Sequence, residues 1–146
     1  MSNNQFKRGE LYSVINSMAT TAVARRLQKN FRNAGLEITI EQWSVLYHLW
    51  KEDGLSQQEL GNITFRDKAS ITRLIDNIEK LGLVERIASK EDRRVNLVYL
   101  TDAAKPLQEK TYELANQTMN EALHGITKEE IEIVKNVFQR VYENSK

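Results

Sequence analysis

Very few residues in this sequence can form the tight turns that an all-β fold needs. The 146 residues include one proline, Pro106, and six glycines, and these two residue types supply the special dihedral angles of many turns. The chain therefore favours long helices with short connections, and all-β classes are excluded. A chain of this length can bury roughly 70% of the surface that it exposes when unfolded. We expect a single folded unit over residues 1–146.

Apolar periodicity and capping residues place the helices. An i, i+3, i+4, i+7 apolar rhythm predicts a first helix over residues 8–33, and Gly35 would end it. Asp67 would cap a longer helix with a regular apolar stripe, which Gly82 would end. Three further pairs have the spacing of a capping box. These pairs are Thr39 with Gln42, Ser56 with Glu59, and Thr127 with Glu130.

A hairpin interrupts the helices. Two β-branched and aromatic runs, residues 83–87 and 95–100, flank a charged loop and predict two strands with a long tip. The following helix spans about residues 101–124, and two starts are open: Thr101 caps it and Pro106 bends it, or it begins later. The predicted order is four helices, a hairpin and two helices, which is a mainly α fold with a small β-hairpin.

Composition excludes several classes of function. Cysteine is absent, so no disulfide, thiol nucleophile or thiolate metal site can form. His48 and His124 match no zinc motif, so we expect no metal and no cofactor. No apolar run approaches the roughly 20 residues of a membrane helix, and the polar start carries no secretion signal, so we expect a cytoplasmic protein. The sequence contains neither a nucleophile with a paired base nor a phosphate-binding glycine loop, so nothing in it indicates an enzyme.

Residues 56–100 have the predicted order short helix, turn, longer helix, hairpin, which is the order of a winged helix-turn-helix. The polar side chains outside the apolar stripe of the longer helix are Lys68, Ser70, Thr72, Arg73, Asn77 and Lys80. Arginine and asparagine can read guanine and adenine edges, although an ordinary solvated helix face has the same pattern. The loop SKEDRR ends in Arg93 and Arg94, and a narrow minor groove attracts arginines. The two features together favour DNA binding.

The stretch SQQELGNITFRDKASITRLIDNIEKLGLVERIASKEDRRVNLVYLT closely resembles the DNA-binding core of the MarR (multiple antibiotic resistance regulator) family. Its strongest elements are the S-x-x-E-L helix start, the D-K-x-S-x-T-R-L-I-D recognition helix, the G-L-V-E-R exit, the D-x-R wing and the Leu-Thr that follows. The chain departs from the family pattern at Ala104, where glycine is frequent, and at Asn77, where a basic residue is common. The resemblance covers most of the chain and implies a winged helix-turn-helix over about residues 36–100.

The resemblance also implies a site. The residues that would enter the major groove are Ser70, Thr72, Arg73 and Asn77. In the wing, Arg94 would reach the minor groove and Asp92 would help set the shape of the loop. The residues that would contact the DNA backbone are Arg66, Lys68 and Arg93.

Residues 8–33 and 101–144 are too long and too apolar for a minimal DNA-binding domain. Their excess length and the resemblance imply a homodimer built from both chain ends. Such a dimer would place two recognition helices on half-sites of a pseudo-palindromic double-stranded operator, roughly 34 Å apart. The alternative is a winged-helix module for protein-protein contact that does not bind DNA, but such a module has no need of a doubly basic wing tip.

Family members often release DNA when a small aromatic ligand binds between the DNA-binding and dimerisation regions, so the resemblance implies a ligand-responsive repressor. The main stripe of the second helix is Ile40, Trp43, Leu46, Tyr47 and Trp50, and its simplest role is in the core. Val45, His48 and Leu49 form a second stripe. The candidate residues for an aromatic effector are His48, with Tyr12, Tyr47 and Tyr112 around it.

Overall fold

The computed structural model describes residues 8–13 and 18–146. Its elements are α1 (Arg8–Ser13), α2 (Ala19–Asn33), α3 (Ile40–Lys51), β1 (Leu55–Ser56), α4 (Gln57–Ile63), α5 (Lys68–Lys80), β2 (Val84–Ala88), β3 (Asn96–Leu100), α6 (Leu107–Ala122) and α7 (Lys128–Ser145). The helix predicted over residues 8–33 corresponds to α1 and α2, and its residues 14–17 lie outside the described residues. The mainly α fold is confirmed.

The predicted capping residues start four helices. Thr39, Ser56 and Thr127 each form a complete capping box. The hydroxyl accepts a hydrogen bond from the backbone N–H three residues later, and the side chain of that later residue accepts one from the backbone N–H of the capping residue. Asp67 accepts a hydrogen bond from the backbone N–H of Ser70 at 2.8 Å. These local contacts satisfy N–H groups that a helix start otherwise leaves without partners.

The start of α6 decides between the two predicted alternatives. Pro106 stands immediately before the first residue of α6, Leu107, so the proline removes no hydrogen bond from the helix interior. The hydroxyl of Thr101 donates to the carbonyl of Gly82 at 2.6 Å instead of capping α6. The later helix start is therefore correct, and the residues between β3 and α6 form turns.

The sheet contains one strand that the sequence did not predict. The three antiparallel strands have the order β1-β3-β2, and Leu55 of β1 lies opposite Val98 of β3. Two residues are too short for an alternating apolar pattern, so β1 gave no signal. Next to β1, Gly54 has a φ of +76°, and a Cβ there would come within 2.7 Å of the Tyr99 ring, which requires glycine.

The core of the winged part determines which side of α5 faces outward. Ile71, Ile75 and Ile78 of α5 are at most 2% exposed. They pack in one cluster with buried leucines of α3 and α4 and with Val98 of β3. Because this stripe faces inward, the opposite side of α5 faces solvent. In the part of the chain that is described, no helix has both the length and the apolar character to cross a membrane.

The two ends of the chain pack differently. Helices α2 and α6 are joined by a hydrogen bond from the Asn30 amide to Thr118 Oγ1 at 2.8 Å and by an ion pair between Arg26 and Glu121 at 2.7 Å. Helix α7 contributes no buried residue. Its large apolar side chains that remain exposed are Ile133, Val134, Val137, Phe138, Val141 and Tyr142. The last helix therefore presents an apolar face that the chain leaves largely exposed; the Tyr142 ring contacts that of Phe65, with 6.3 Å between the centroids.

Candidate nucleic-acid interface

The turn between α4 and α5 is tight. The backbone N–H of Arg66 donates to the carbonyl of Gly61 at 2.8 Å. A Cβ at Gly61 would stand 3.2 Å from the carbonyl oxygen of Arg66, so glycine permits this close approach. Phe65 has a φ of 56° and a side chain that is 82% exposed. The turn holds the first residues of α5 next to the end of α4, as in a helix-turn-helix.

The polar residues predicted on α5 fall into two groups. Arg73 and Asn77 are exposed, and among the described residues neither side chain has a hydrogen bond or ion pair. Ser70 accepts a hydrogen bond from Arg66 Nη1 at 3.2 Å. The hydroxyl of Thr72 donates to the carbonyl of Lys68 at 2.7 Å and accepts from Gln57 Nε2 at 2.6 Å. Arg73 and Asn77 are therefore available to a ligand, whereas Thr72 is held within the protein.

The wing carries an exposed arginine with a fixed neighbour. Strands β2 and β3 pair from Val84 with Leu100 to Ala88 with Asn96, and the charged tip follows. Arg94 donates from Nε and Nη2 to the two carboxylate oxygens of Asp92, at 3.1 and 3.2 Å. These side-chain bonds, together with the backbone N–H of Arg94, lower the pKa of Asp92. The Arg94 side chain is still 90% exposed, so Asp92 orients the guanidinium without covering it.

A cleft of about 710 Å³ separates the helix-turn-helix from the wing. It is lined by Gln57, Gln58, Gly61, Asn62, Arg66, Asp67, Lys68, Ile71, Arg94, Val95 and Asn96. The structure thus brings the predicted residues Arg66, Lys68 and Arg94 to one concave surface. Arg93 is exposed in the same wing but does not line the cleft.

The amide side chains of this cleft were not predicted from the sequence. Gln57 and Gln58 belong to the first turn of α4, Asn62 to its last turn, and Asn96 to the first position of β3. Amides are frequent on any solvated surface, so their residue type alone gave no signal. Only the fold shows that they share one cleft with three cations.

Comparison with known proteins decides the family. The family model described as MarR matches residues 38–95. The crystal structure of a protein named transcriptional regulator PA3341 is 30% identical to this chain and superimposes with a TM-score of 0.75. The match covers 94% of this chain and 96% of that one. The chain belongs to the MarR family.

Two further MarR structures share the fold over nearly their whole length. A mutant MarR from E. coli, crystallised in complex with operator DNA, has a TM-score of 0.83 at 23% identity and covers 94% of this chain and 98% of its own. A MarR protein from Peptoclostridium difficile has a TM-score of 0.83 at 22% identity, with 99% and 92% covered. These similarities confirm the predicted winged helix-turn-helix fold.

Aromatic side chains meet where α3 of this MarR-family chain packs near α6. The ring of Tyr47 lies 5.4 Å from that of His48 and 5.8 Å from that of Tyr112, measured between centroids. The Trp50 ring lies 5.9 Å from Tyr112. Three of the four predicted effector residues are therefore together, while Tyr12 belongs to α1 and is 68% exposed. Val45, Leu46 and Leu49 are buried, so both predicted stripes of α3 contribute to packing.

Three groups in this aromatic region bear on ligand binding. The indole N–H groups of Trp43 and Trp50 are buried and have no hydrogen-bond partner in the described chain. An indole N–H can only donate, so it requires an acceptor to offset its burial. Burial lowers the pKa of His48, and the charge of Lys51 lowers it further. The lowered pKa favours the neutral form of His48, and a neutral imidazole can both donate and accept.

Proposed function

We propose that this protein is a sequence-specific double-stranded DNA-binding transcriptional regulator that acts as a homodimer and a ligand-responsive repressor. The observation that carries the DNA-binding part is the pair of unoccluded arginines on two adjacent projections. Arg73 lies on the outward face of α5, and Arg94 lies on the wing with 90% of its side chain exposed. A helix that fits the major groove and a neighbouring basic loop are the two parts that a winged helix uses on DNA.

Each projection has a different proposed role. The major groove, about 12 Å wide, admits an α-helix and presents base edges, so Arg73 and Asn77 would read bases from α5. Arg94 would enter the adjacent minor groove, because the negative potential of a narrow minor groove attracts arginine. Asp92 would keep the Arg94 guanidinium directed during this approach. Thr72 would act mainly by supporting the surface, because its hydroxyl both donates and accepts within the protein. The Ser70 hydroxyl only accepts, from Arg66, and can still donate to DNA.

The cleft between α5 and the wing suits a sugar-phosphate strand. A strand of the duplex must pass between the groove that α5 would enter and the groove that the wing would enter. The lining includes three cations, Arg66, Lys68 and Arg94, and one acid, Asp67. Since Asp67 caps α5, the cations and the amides of Gln58, Asn62 and Asn96 remain available to phosphate oxygens, whereas the Gln57 amide is bonded within the protein. The E. coli relative was crystallised in complex with operator DNA, which supports the proposal that this chain binds DNA.

The uncovered apolar face of α7 supports a homodimer. Val134 and Phe138 are 49% and 45% exposed in one chain, and a face of this kind normally marks an interaction surface. A two-fold dimer would pair this face with itself and present two copies of α5. The two recognition helices would then contact half-sites about one helical turn apart. We propose residues 8–33 and 101–144 as the dimerisation helices and residues 36–100 as the DNA-binding part.

Arg94→Ala should weaken binding to all duplexes to a similar extent. A minor-groove arginine responds to groove shape and potential more than to base identity, and it displaces counterions. We expect the slope of log affinity against log salt to become shallower by about one. Fluorescence anisotropy with a selected duplex and a shuffled duplex, at several salt concentrations, measures both quantities. The control is Lys29→Ala, which removes an exposed positive charge from α2, outside the winged part.

Two results would contradict the DNA-binding proposal. Wild-type protein that binds no genomic fragment at low salt would favour a protein-protein interaction module instead. Arg94→Ala with unchanged affinity and an unchanged salt slope would remove the wing from the mechanism.

The effector part of the proposal rests on the aromatic region of α3. The rings of Tyr47 and Tyr112 supply an apolar wall, and His48, whose ring lies against Tyr47 and whose lowered pKa favours the neutral imidazole, supplies a polar group. An aromatic carboxylate combines a ring with hydrogen-bond acceptors and so suits these groups. It would weaken DNA binding only if it favoured a dimer with wrongly spaced recognition helices, because equal affinity for both states shifts nothing.

His48→Ala should weaken the binding of an aromatic carboxylate by about 0.5–1.5 kcal/mol, the net contribution of a typical hydrogen bond. A panel of such compounds is titrated by thermal shift, and active ones are added to a gel shift. The matched control is His124→Ala, which removes the other histidine at an exposed site after α6. If His48→Ala leaves both ligand affinity and the effect on DNA unchanged, the assignment of this region is wrong.

A further inference from the structure

Arg86 in β2 is much less exposed than the arginines proposed to bind DNA. It lies opposite Val98 of β3, and its side chain is 16% exposed, compared with 90% for Arg94. Arginine is seldom this covered unless its charge is paired. The side chain of Arg86 extends from the wing towards the helix-turn-helix, and its partners show what it joins.

Four acceptors surround the Arg86 guanidinium. Nε donates to Gln57 Oε1 at 3.2 Å, at the start of α4. Nη2 donates to the backbone carbonyl of Thr72 at 3.1 Å and pairs with Asp76 Oδ1 at 2.7 Å. Nη1 pairs with Glu79 Oε1 at 3.2 Å, and Glu79 Oε2 also accepts the backbone N–H of Arg86 at 3.2 Å. One residue thus joins the wing to both helices of the helix-turn-helix.

The partners of Arg86 are also bonded to each other. Gln57 Nε2 donates to Thr72 Oγ1 at 2.6 Å, so Gln57 accepts from Arg86 and donates to α5. Any rotation of β2 against α5 would break several of these bonds together. The planar guanidinium holds its donors in fixed directions, which makes the bridge rigid as well as strong.

The bridge stands between the two proposed DNA contacts. Asp76 follows Arg73 by three residues and therefore lies beside it on the helix. The strand that contains Arg86 leads directly into the wing tip with Arg94. The separation of Arg73 and Arg94 consequently depends on how β2 is attached to α5. Val84 is buried in the same core as Ile78, and Arg86 adds the polar contacts that fix the orientation of the strand.

We infer that Arg86 is a positioning residue for DNA recognition, which holds α5 and the wing at the spacing needed to engage two adjacent grooves at once. The inference rests on the proposed DNA-binding function. Binding sites depend on such supporting contacts, because small displacements of a contacting group lose its hydrogen bonds. Arg86 itself is not expected to touch DNA, since its donors are directed to protein acceptors.

Two variants separate geometry from charge. Arg86→Lys keeps the positive charge, but an ammonium on a flexible stem cannot reproduce the planar fork. Arg86→Met combined with Asp76→Asn removes one positive and one negative charge, so the net charge of the protein stays the same. The probes are a duplex that wild-type protein selects from a random library and a duplex of equal length with shuffled half-sites.

We divide the dissociation constant for the shuffled duplex by that for the selected duplex. In both variants we expect this ratio to fall about tenfold, comparable to the loss of one good base contact. The affinity for the shuffled duplex and its salt slope should stay at the wild-type values, because the phosphate-binding cations remain. This combination also distinguishes a positioning role from a structural one, since an unfolded protein loses affinity for both duplexes. Circular dichroism tests whether each variant is folded. If the double variant is unfolded, the result for Arg86→Lys alone decides whether the inference holds.

Three results would overturn the inference. Both variants could keep the wild-type ratio, or Arg86→Lys alone could keep it, which would show that charge suffices. Affinity for both duplexes could also fall together, with a salt slope shallower by about one, which would make Arg86 a phosphate contact. If the wild-type protein selects no preferred duplex, the proposed function fails, and the role of Arg86 is then rejected with it.

Discussion

Val137→Glu should leave the protein monomeric at micromolar concentration and should weaken binding to a two-half-site duplex by about a hundredfold or more. Val137 lies within the apolar face of α7 together with Val134, Phe138 and Val141. A carboxylate in the centre of such an interface would lose its hydration without gaining a partner, which is strongly unfavourable. A monomer would engage one half-site only, so the gain from linking two recognition helices would disappear. Light scattering measures the mass and anisotropy the affinity.

Asn136→Glu is the matched control for this prediction. It adds the same charge to the same helix, but position 136 is two residues after Val134, on roughly the opposite side of a helix with 3.6 residues per turn. Asn136 is also exposed, so this variant should remain dimeric and bind DNA normally. Dimeric Val137→Glu with wild-type affinity would show that α7 does not form the interface.

Helix starts in this protein could be predicted because their contacts are local. Thr39, Ser56, Asp67 and Thr127 each bond to a group three residues away, so the sequence contains both partners side by side. The left-handed glycines that follow helices, such as Gly82 with a φ of +74°, are local for the same reason. Most of the fold follows from these signals together with apolar periodicity.

Contacts between distant parts of the chain could not be predicted in this way. Strand β1 exists because Leu55 meets Val98 of β3, a pairing that neither segment indicates alone. The internal bonds of the Thr72 hydroxyl and carbonyl depend on Gln57 and Arg86, which belong to two other elements. Sequence reasoning placed Thr72 with the exposed polar residues of α5, because helical position gives direction but not partners.

In the candidate site too, residues in sequence motifs could be predicted, and contacts between distant elements could not. The cations of the turn, of α5 and of the wing could be named from motif positions, and the fold brings Arg66, Lys68 and Arg94 into one cleft. The bridge made by Arg86 could not be named, since an arginine in a strand is ordinary until its acceptors are known. The DNA contacts of Arg73 and Asn77 remain predictions that binding experiments must test.

Arg73→Ala should weaken binding to the selected duplex by about 1 to 3 kcal/mol and relax the base preference at one position of each half-site. The physical reason is the state of Arg73 before binding. It is exposed on α5 and, within the described chain, has no internal partner to give up. Its five donors can therefore fork onto the O6 and N7 of a guanine. Library selection with the variant and the wild type, followed by anisotropy, measures both effects.

Lys80→Ala provides the control on the same helix. Lys80 is the last residue of α5 and is exposed, and the N-terminal part of a recognition helix is the part that contacts base edges. Loss of Lys80 should therefore change affinity equally for all duplexes and leave the selected sequence intact. Arg94→Ala should likewise differ from Arg73→Ala, because loss of a wing arginine changes the salt slope and leaves the base preference unchanged. If Arg73→Ala selects the same bases as wild type with unchanged affinity, α5 does not read the operator through Arg73.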